Sequence, residues 1–113
     1  MAYCFTSVRI AKALVDAKKR GVRVEVIIDK GRKTERYSAV TFFKNQGIPI
    51  YIDDLEPLQH NKIMIIDVST VITGSFNFTK AAERNAENVL IIRSKEMAGI
   101  YKRNWERHLN HSW

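Results

Sequence analysis

Apolar residues recur at two different periods along the chain, and the switches between them predict the element order. Val8, Ala11, Leu14 and Val15 fall at helical spacing behind Thr6 and Ser7, which can cap a helix, and Arg20-Gly21 supplies a stop. Val22 to Ile28 is dense in Val and Ile and predicts a strand. Asp29 to Tyr37 reads as a polar, basic loop. A second helix is predicted over Ser38 to Gln46, with Val40 and Phe43 inward and Gly47 closing it. Ile48 to Ile52 predicts a short strand, followed by an acidic loop at Asp53, Asp54 and Glu56. Lys62 to Asp67 and Thr70 to Ser75 predict two strands joined by a tight turn, with a short helical piece following over Thr79 to Arg84. Asn88 to Arg93 predicts another strand, and Lys95 to Leu109 a last helix that buries Met97, Ile100, Tyr101, Trp105 and Leu109. Phe42, Phe43 and Tyr51 read as core. Helices interleave with strands early and a hairpin comes late, so the predicted class is α/β with a mixed sheet. With no internal repeat, low-complexity tract or linker, residues 1–113 read as one domain.

Composition narrows the classes of function. A chain of 113 residues, 45% hydrophobic and 27% charged, suits one globular core and not disorder. A net charge of +7 favours polyanions, nucleic acid first and anionic membrane second. The single cysteine, Cys4, has no internal disulfide partner and reads as a small buried thiol. No apolar run approaches the roughly 20 residues that span a bilayer, and no signal-peptide pattern opens the chain. Ala2-Tyr3-Cys4-Phe5 reads as the end of a buried strand, so the natural protein is expected to begin further upstream. An export signal there would make the protein periplasmic or secreted, and without one it would be cytoplasmic.

The chemically informative residues are His60 and Lys62, then Asp67, then Gly74-Ser75-Phe76-Asn77. Cutting a phosphodiester needs a nucleophile, a proton donor for the leaving oxygen, and positive charge on the phosphoryl oxygens. A neutral imidazole can be the nucleophile. In an extended segment residues two apart share a face, so Lys62 would put an ammonium beside His60. Lys62 can hold a phosphoryl oxygen, and Asn77 and Ser75 can each donate a hydrogen bond to the same group. Gly74 would let backbone approach closely. Alone, His60 would read as an ordinary loop histidine; Lys62, Ser75 and Asn77 in register change that reading.

The spacing H-x-K-x4-D-x6-G-S-x-N resembles the signature of the phospholipase D superfamily. The segments Ala2 to Ser7, Arg20-Gly21-Val22 and Gly74 to Asn88 resemble its small bacterial EDTA-resistant endonuclease branch, which has a single motif copy, and the similarity covers nearly the whole chain. Those relatives have an additional helix and the front half of a strand before the segment that here starts at Ala2. The resemblance implies an α-β-α sandwich, with helices on both faces of the sheet. It implies that His60 attacks phosphorus and forms a phosphohistidine, that Lys62 and Asn77 bind phosphate oxygens, and that Ser75 helps order the site. Glu87 matches the family carboxylate that hydrogen-bonds the histidine ring and fixes its tautomer, while Asp67 matches a position that supports the local fold more than it touches substrate.

One motif supplies one imidazole, but the leaving oxygen also needs an acid. Larger superfamily members carry two copies; this chain has one, so the second set is expected from a second subunit in a twofold homodimer. No metal is expected. His60 has no nearby ligand partners, Lys62 repels a cation, and His108 and His111 read as a frayed surface pair. No phosphate-cradling glycine-rich loop is present, so no nucleotide cofactor is expected. Lys30, Arg32, Lys33 and Arg36, with Arg20 and Arg23 nearby, are candidates to track a DNA or RNA backbone. One of Phe76 and Phe78 is expected to line the cleft. No base-reading motif is visible, so little sequence specificity is expected. Two other readings remain on the same fold: a phospholipid phosphodiesterase, and a non-catalytic nucleic-acid-binding module.

Overall fold

The computed structural model describes residues 1–3, 5–31, 33–57 and 60–113. The expectations for Cys4 and Arg32 lie outside the described residues. The chain runs α1 (Val8–Lys19), β1 (Val26–Asp29), α2 (Lys33–Asn45), β2 (Ile50–Asp53), β3 (Ile63–Ile66), β4 (Thr70–Gly74), a 3-10 turn (Ala81–Arg84), β5 (Val89–Arg93) and α3 (Lys95–Asn110). The helix caps follow from the residues that flank them. Ser7 and Ser94 each turn a side-chain oxygen to the amide three residues on, at Ile10 and Met97. At the far end of α1, Gly21 adopts φ +91° and Val22 N–H reaches back to Ala17 O at 3.1 Å, which satisfies carbonyls the helix would otherwise leave bare.

Two hydrogen-bonded ladders form. β1 and β2 are parallel, as their crossover through α2 requires, and β3-β4-β5 is an antiparallel meander. The N-terminal segment joins them. Ala2 bridges Ile28 in parallel on one flank and Lys62 antiparallel on the other. The spatial order is therefore β2, β1, N-terminal segment, β3, β4, β5, a mixed sheet. α1 and α2 cover one face through Ala11, Val15, Ala39 and Phe43, against Val26, Ile28, Ile50 and Ile52. α3 covers the other through Ala98, Tyr101, Trp105 and Leu109, against Ile27, Ile63 and Val71. The α-β-α sandwich is as expected.

Several boundaries differ from the sequence reading, each for a physical reason. Strand β1 starts at Val26, not Val22. Val22 is held by the end of α1, and the four residues of β2 give a ladder only to Val26–Asp29. The supposed loop through Tyr37 is the first turns of α2 from Lys33; its residues are polar because that part of the helix faces water, and they include no helix breaker. Phe42 is 39% exposed and Ile100 45% exposed, so neither is core, and Ala98 and His108 are the buried residues of α3 instead. Asp67 and Val68 adopt φ +55° and +48° at the centre of the β3–β4 hairpin, closed by Ser69 N to Ile66 O at 3.0 Å.

Candidate active site

β3 begins where the N-terminal segment bridges Lys62, and this seam carries the site. Lys62 is 7% exposed, although lysine is seldom buried. Its ammonium nitrogen lies 2.8 Å from His60 Nδ1 and 3.1 Å from Nε2, and it donates to the His60 carbonyl at 2.6 Å. An ammonium so placed can donate to whichever ring nitrogen is unprotonated. Tyr3 stands over the other side, its ring centroid 4.6 Å from that of His60 and 5.3 Å from Lys62 Nζ. Burial pulls the Lys62 ammonium below the ordinary lysine value, and the charge of Glu87 opposes that shift.

The segment after β4 frames the other side. The ladder pairs Ile63 with Thr73, so one further step sets Lys62 across from Gly74. Gly74 has φ +153°, and a Cβ there would meet Asn88 O at 2.0 Å. The chain can fold here only with glycine, because the two backbones are in contact. Ser75 N then donates to Asn88 O at 2.9 Å, while Asn88 N donates to Ser75 Oγ at 2.9 Å. Ser75 Oγ in turn donates to Glu87 Oε1 at 2.6 Å, and Asn85 donates to Glu87 Oε2 at 3.3 Å. Asn77 is half-buried, and its Oδ1 is sealed from solvent without a hydrogen-bond partner. From there the chain crosses to the N-terminal segment, where Thr6 N and Ser7 N donate to Phe78 O.

The structure brings His60 and Lys62 together and ties Ser75 to Glu87. Glu87 does not bond the His60 ring as expected; its oxygens are taken by Ser75 and Asn85, and it reaches Lys62 through charge alone. Asp67 sits in the hairpin turn at the opposite end of β3 from Lys62, five residues further along the chain. Phe78 is core, packed on Phe5 at 5.7 Å between ring centroids, while Phe76 is half-buried. Of the basic group, Lys30 Nζ donates to Asp54 O at 3.0 Å and Arg36 donates to Lys30 O. Lys33 is exposed and has no hydrogen-bond or ion-pair partner among the described residues. Lys33 and Arg36 therefore lie in α2 and not in the loop expected there, and Lys30 and Arg36 brace the end of β1. Tyr3 and Asn85 were not foreseen. Asn85 lies two residues before Glu87, but nothing in that spacing marks it as a partner.

The pair His108 and His111 is not a frayed surface pair. His108 is 6% exposed and its Nδ1 lies 2.7 Å from Asp53 Oδ2, while His111 Nε2 lies 3.1 Å from Asp53 Oδ1. Burial alone would raise the Asp53 carboxyl, but the hydrogen bond from His108, the close approach and charge of His111, and the Leu55 amide outweigh it and hold the carboxyl below its ordinary value.

A family model described as cardiolipin synthase, PLD-like domain, matches residues 1–109. The chain belongs to the phospholipase D-like family. This PLD-like chain superposes on Nuc from Salmonella typhimurium, a phospholipase D family member, with TM-score 0.93 and 44% identity over all of this chain and 77% of that one. NucT from Helicobacter pylori shares the fold, with TM-score 0.85 at 23% identity over 98% of this chain and 77% of that one. A phospholipase D of Rickettsia bellii is 43% identical over 105 residues, covering 92% of this chain and 52% of that protein. A mitochondrial cardiolipin hydrolase of Canis lupus familiaris is 33% identical over 106 residues, 93% of this chain and 42% of that protein. The PLD-like chain thus spans about half the length of the curated relatives it matches.

The charge coupling between Lys62 and Glu87 generates a prediction with a definite sign. Glu87→Gln keeps an acceptor for Ser75 but removes the charge that raises the Lys62 pKa. Lys62 should then lose its proton at lower pH than in the parent, and Glu87→Asp should shift it less. An NMR titration of the lysine side chain reads this directly; an unchanged Lys62 titration in Glu87→Gln would show that the charge does not reach it.

Proposed function

We propose that this protein hydrolyses nucleic-acid phosphodiester bonds without a metal, through a covalent phosphohistidine at His60, in a homodimer that shares one cleft. The observation that carries the reading is the buried Lys62 ammonium against both ring nitrogens of His60. It places a fixed positive charge where a phosphoryl group would meet the imidazole. The Asn77 amide supplies a further donor to a phosphoryl oxygen. Ser75 is fixed between Glu87 and Asn88 and orders the loop.

In the first step the neutral His60 nitrogen attacks phosphorus and the P–O bond to the leaving group breaks. The leaving oxygen takes a proton from the imidazolium of a second His60, from the other subunit. That second ring, now neutral, accepts a proton from water as the water oxygen attacks the phosphohistidine. The P–N bond breaks and both imidazoles return to their starting states. Lys62 and Asn77 hold the non-bridging oxygens throughout.

Two features support the choice of partners. The net charge of +7 suits a polyanionic strand. An apolar face of the meander lies uncovered on the same side of the sheet as Lys62. Val89 and Ile91 are 49% and 63% exposed, and they pair with Gly74 and Ile72. Neither α1 nor α2 reaches them, and a second copy of the chain would cover them beside the site. The relatives named phospholipase D and cardiolipin hydrolase favour a second reading, a phospholipid phosphodiesterase built on the same histidine.

Incubation in excess EDTA with plasmid DNA, RNA and cardiolipin vesicles in parallel separates the two readings. The expected outcome is cleavage of nucleic acid and none of lipid, with His60→Ala lowering turnover by at least about 10⁴-fold, as loss of a nucleophile does, while binding persists. Cleavage of vesicles alone would transfer the proposal to lipid. Loss of activity in EDTA, restored by a divalent ion, would refute the metal-free site.

The shared cleft has its own test. Ile91→Glu is exposed in a single chain and should leave the fold intact, but it should shift sedimentation from dimer to monomer and remove activity in parallel. A monomeric variant with full specific activity would mean that a different group is the acid.

A further inference from the structure

Three side chains that the hydrolytic reading does not use converge at another point on the same edge of the sheet. Asp53 ends β2 with its carboxylate fully buried; His108 lies in the last turn of α3, and His111 just beyond it. One ligand-capable atom from each lies within 4.8 Å of the others, and the two rings meet edge to face, 79° apart with centroids at 5.1 Å. Two features distinguish this trio from an ordinary Asp–His hydrogen bond. His111 Nε2 is sealed from solvent yet makes no hydrogen bond of acceptable geometry, although Asp53 Oδ1 is 3.1 Å away. A ring nitrogen in that position is costly unless something else meets its lone pair. Second, one carboxylate faced by two imidazoles is a donor set suited to a borderline transition-metal cation, and less suited to magnesium or calcium.

We propose that Asp53, His108 and His111 bind a divalent transition-metal ion of the zinc type, with water completing a tetrahedral shell. The ion takes an Asp53 oxygen and the lone pairs of His108 Nδ1 and His111 Nε2. The proton that joins His108 Nδ1 to Asp53 is released to solvent. A tetrahedral zinc ion holds its nitrogen and oxygen ligands roughly 3.3–3.5 Å apart. The His108 nitrogen lies 2.7 Å from one Asp53 oxygen and the His111 nitrogen 3.1 Å from the other, so a small rotation of the rings about whichever oxygen binds would open the shell to that spacing. The His111 side chain, 22% exposed, leaves an entry path.

The site would act as a staple. It joins the end of α3 to β2, and β2 is tied to β1 by Lys30 N donating to Asp53 O at 3.2 Å. It is not part of the hydrolytic centre. β1 and the N-terminal segment lie between β2 and β3, so Asp53 and Lys62 are about three strand spacings apart, roughly 14 Å. Asp53 also faces α3, whereas Lys62, one residue before the α3-facing Ile63, faces the other way. Hydrolysis in EDTA and zinc binding at this trio are therefore independent claims.

Calorimetric titration of the full chain with zinc chloride, after chelator treatment and desalting, tests the proposal. The expected result is one zinc per chain, with a thermal midpoint that rises with zinc concentration. His111→Ala, at a partly exposed position, should weaken binding at least about 100-fold, more than loss of an outer partner would. Asp53→Asn should do the same, with circular dichroism checking that each variant is folded. His60→Ala should bind zinc as the parent does. Equal affinity in the parent and folded His111→Ala, or no heat and no thermal shift in the parent, would overturn the site. Loss of zinc binding in His60→Ala would also overturn it, by moving the ion to the other histidine.

Discussion

The N-terminal segment around Ala2 is hydrogen-bonded on both flanks, and the rest of the molecule depends on that double pairing. The Ala2 N–H donates to Ile27 O at 2.9 Å and the Ala2 carbonyl accepts from Asp29 N at 3.2 Å, which completes a ladder with β1. On the other side, Tyr3 N donates to Asn61 O and Ile63 N donates to Met1 O, which completes a ladder with β3. Without this segment, the parallel pair and the antiparallel meander would share no strand among the described residues. A central strand has both rows of backbone groups satisfied, and removing it would expose edges on both sides. The seam also explains the site. Lys62 is buried because it pairs with Ala2 in the middle of the sheet, and its ammonium escapes along the chain to the edge, where His60 and Tyr3 lie.

The two ends of the sheet's active edge use the same physical device for different ends. Beside β3, a desolvated ammonium is held by the field of a carboxylate it does not touch, and the carboxylate is fixed by Ser75 and Asn85. Beside β2, a buried carboxylate is held by two imidazoles. Buried charge is costly unless compensated, so each group specifies its partner's position. The first arrangement leaves donors facing outward toward a phosphoryl group. The second encloses its charge and ties a helix to the sheet.

What could be read from the sequence was whatever is local in the chain. The ends of α1 were legible because Ser7 and Gly21 sit beside the apolar period. The β3–β4 hairpin was legible from two apolar runs separated by a short gap, and His60 with Lys62 from a spacing of two. The long-range pairings were not legible. Glu87 was singled out, but its bond to Ser75 arises from the β4–β5 register, which brings residues 12 apart into contact. His108 and His111 showed helical spacing, but their partner Asp53 is 55 residues away from the first of them, so the pair looked solvated. The start of α2 was hidden for a different reason: its first turn faces water, and a polar helix turn has the composition of a loop. The carbonyl partners of Lys30 and Arg36 were not legible either, because backbone acceptors leave no trace in composition.

The account rests on His60 forming a bond to phosphorus, and that bond can be sought directly. A nucleic-acid substrate labelled at the scissile phosphate, mixed rapidly with enzyme and quenched, should yield protein-bound label during turnover. The adduct should be labile in acid and stable in base, as a phosphoramidate is, and mass spectrometry should place it on the peptide that contains His60. If cleavage proceeds with no bound label at any time, or the label resides on a peptide without His60, the phosphohistidine account is contradicted.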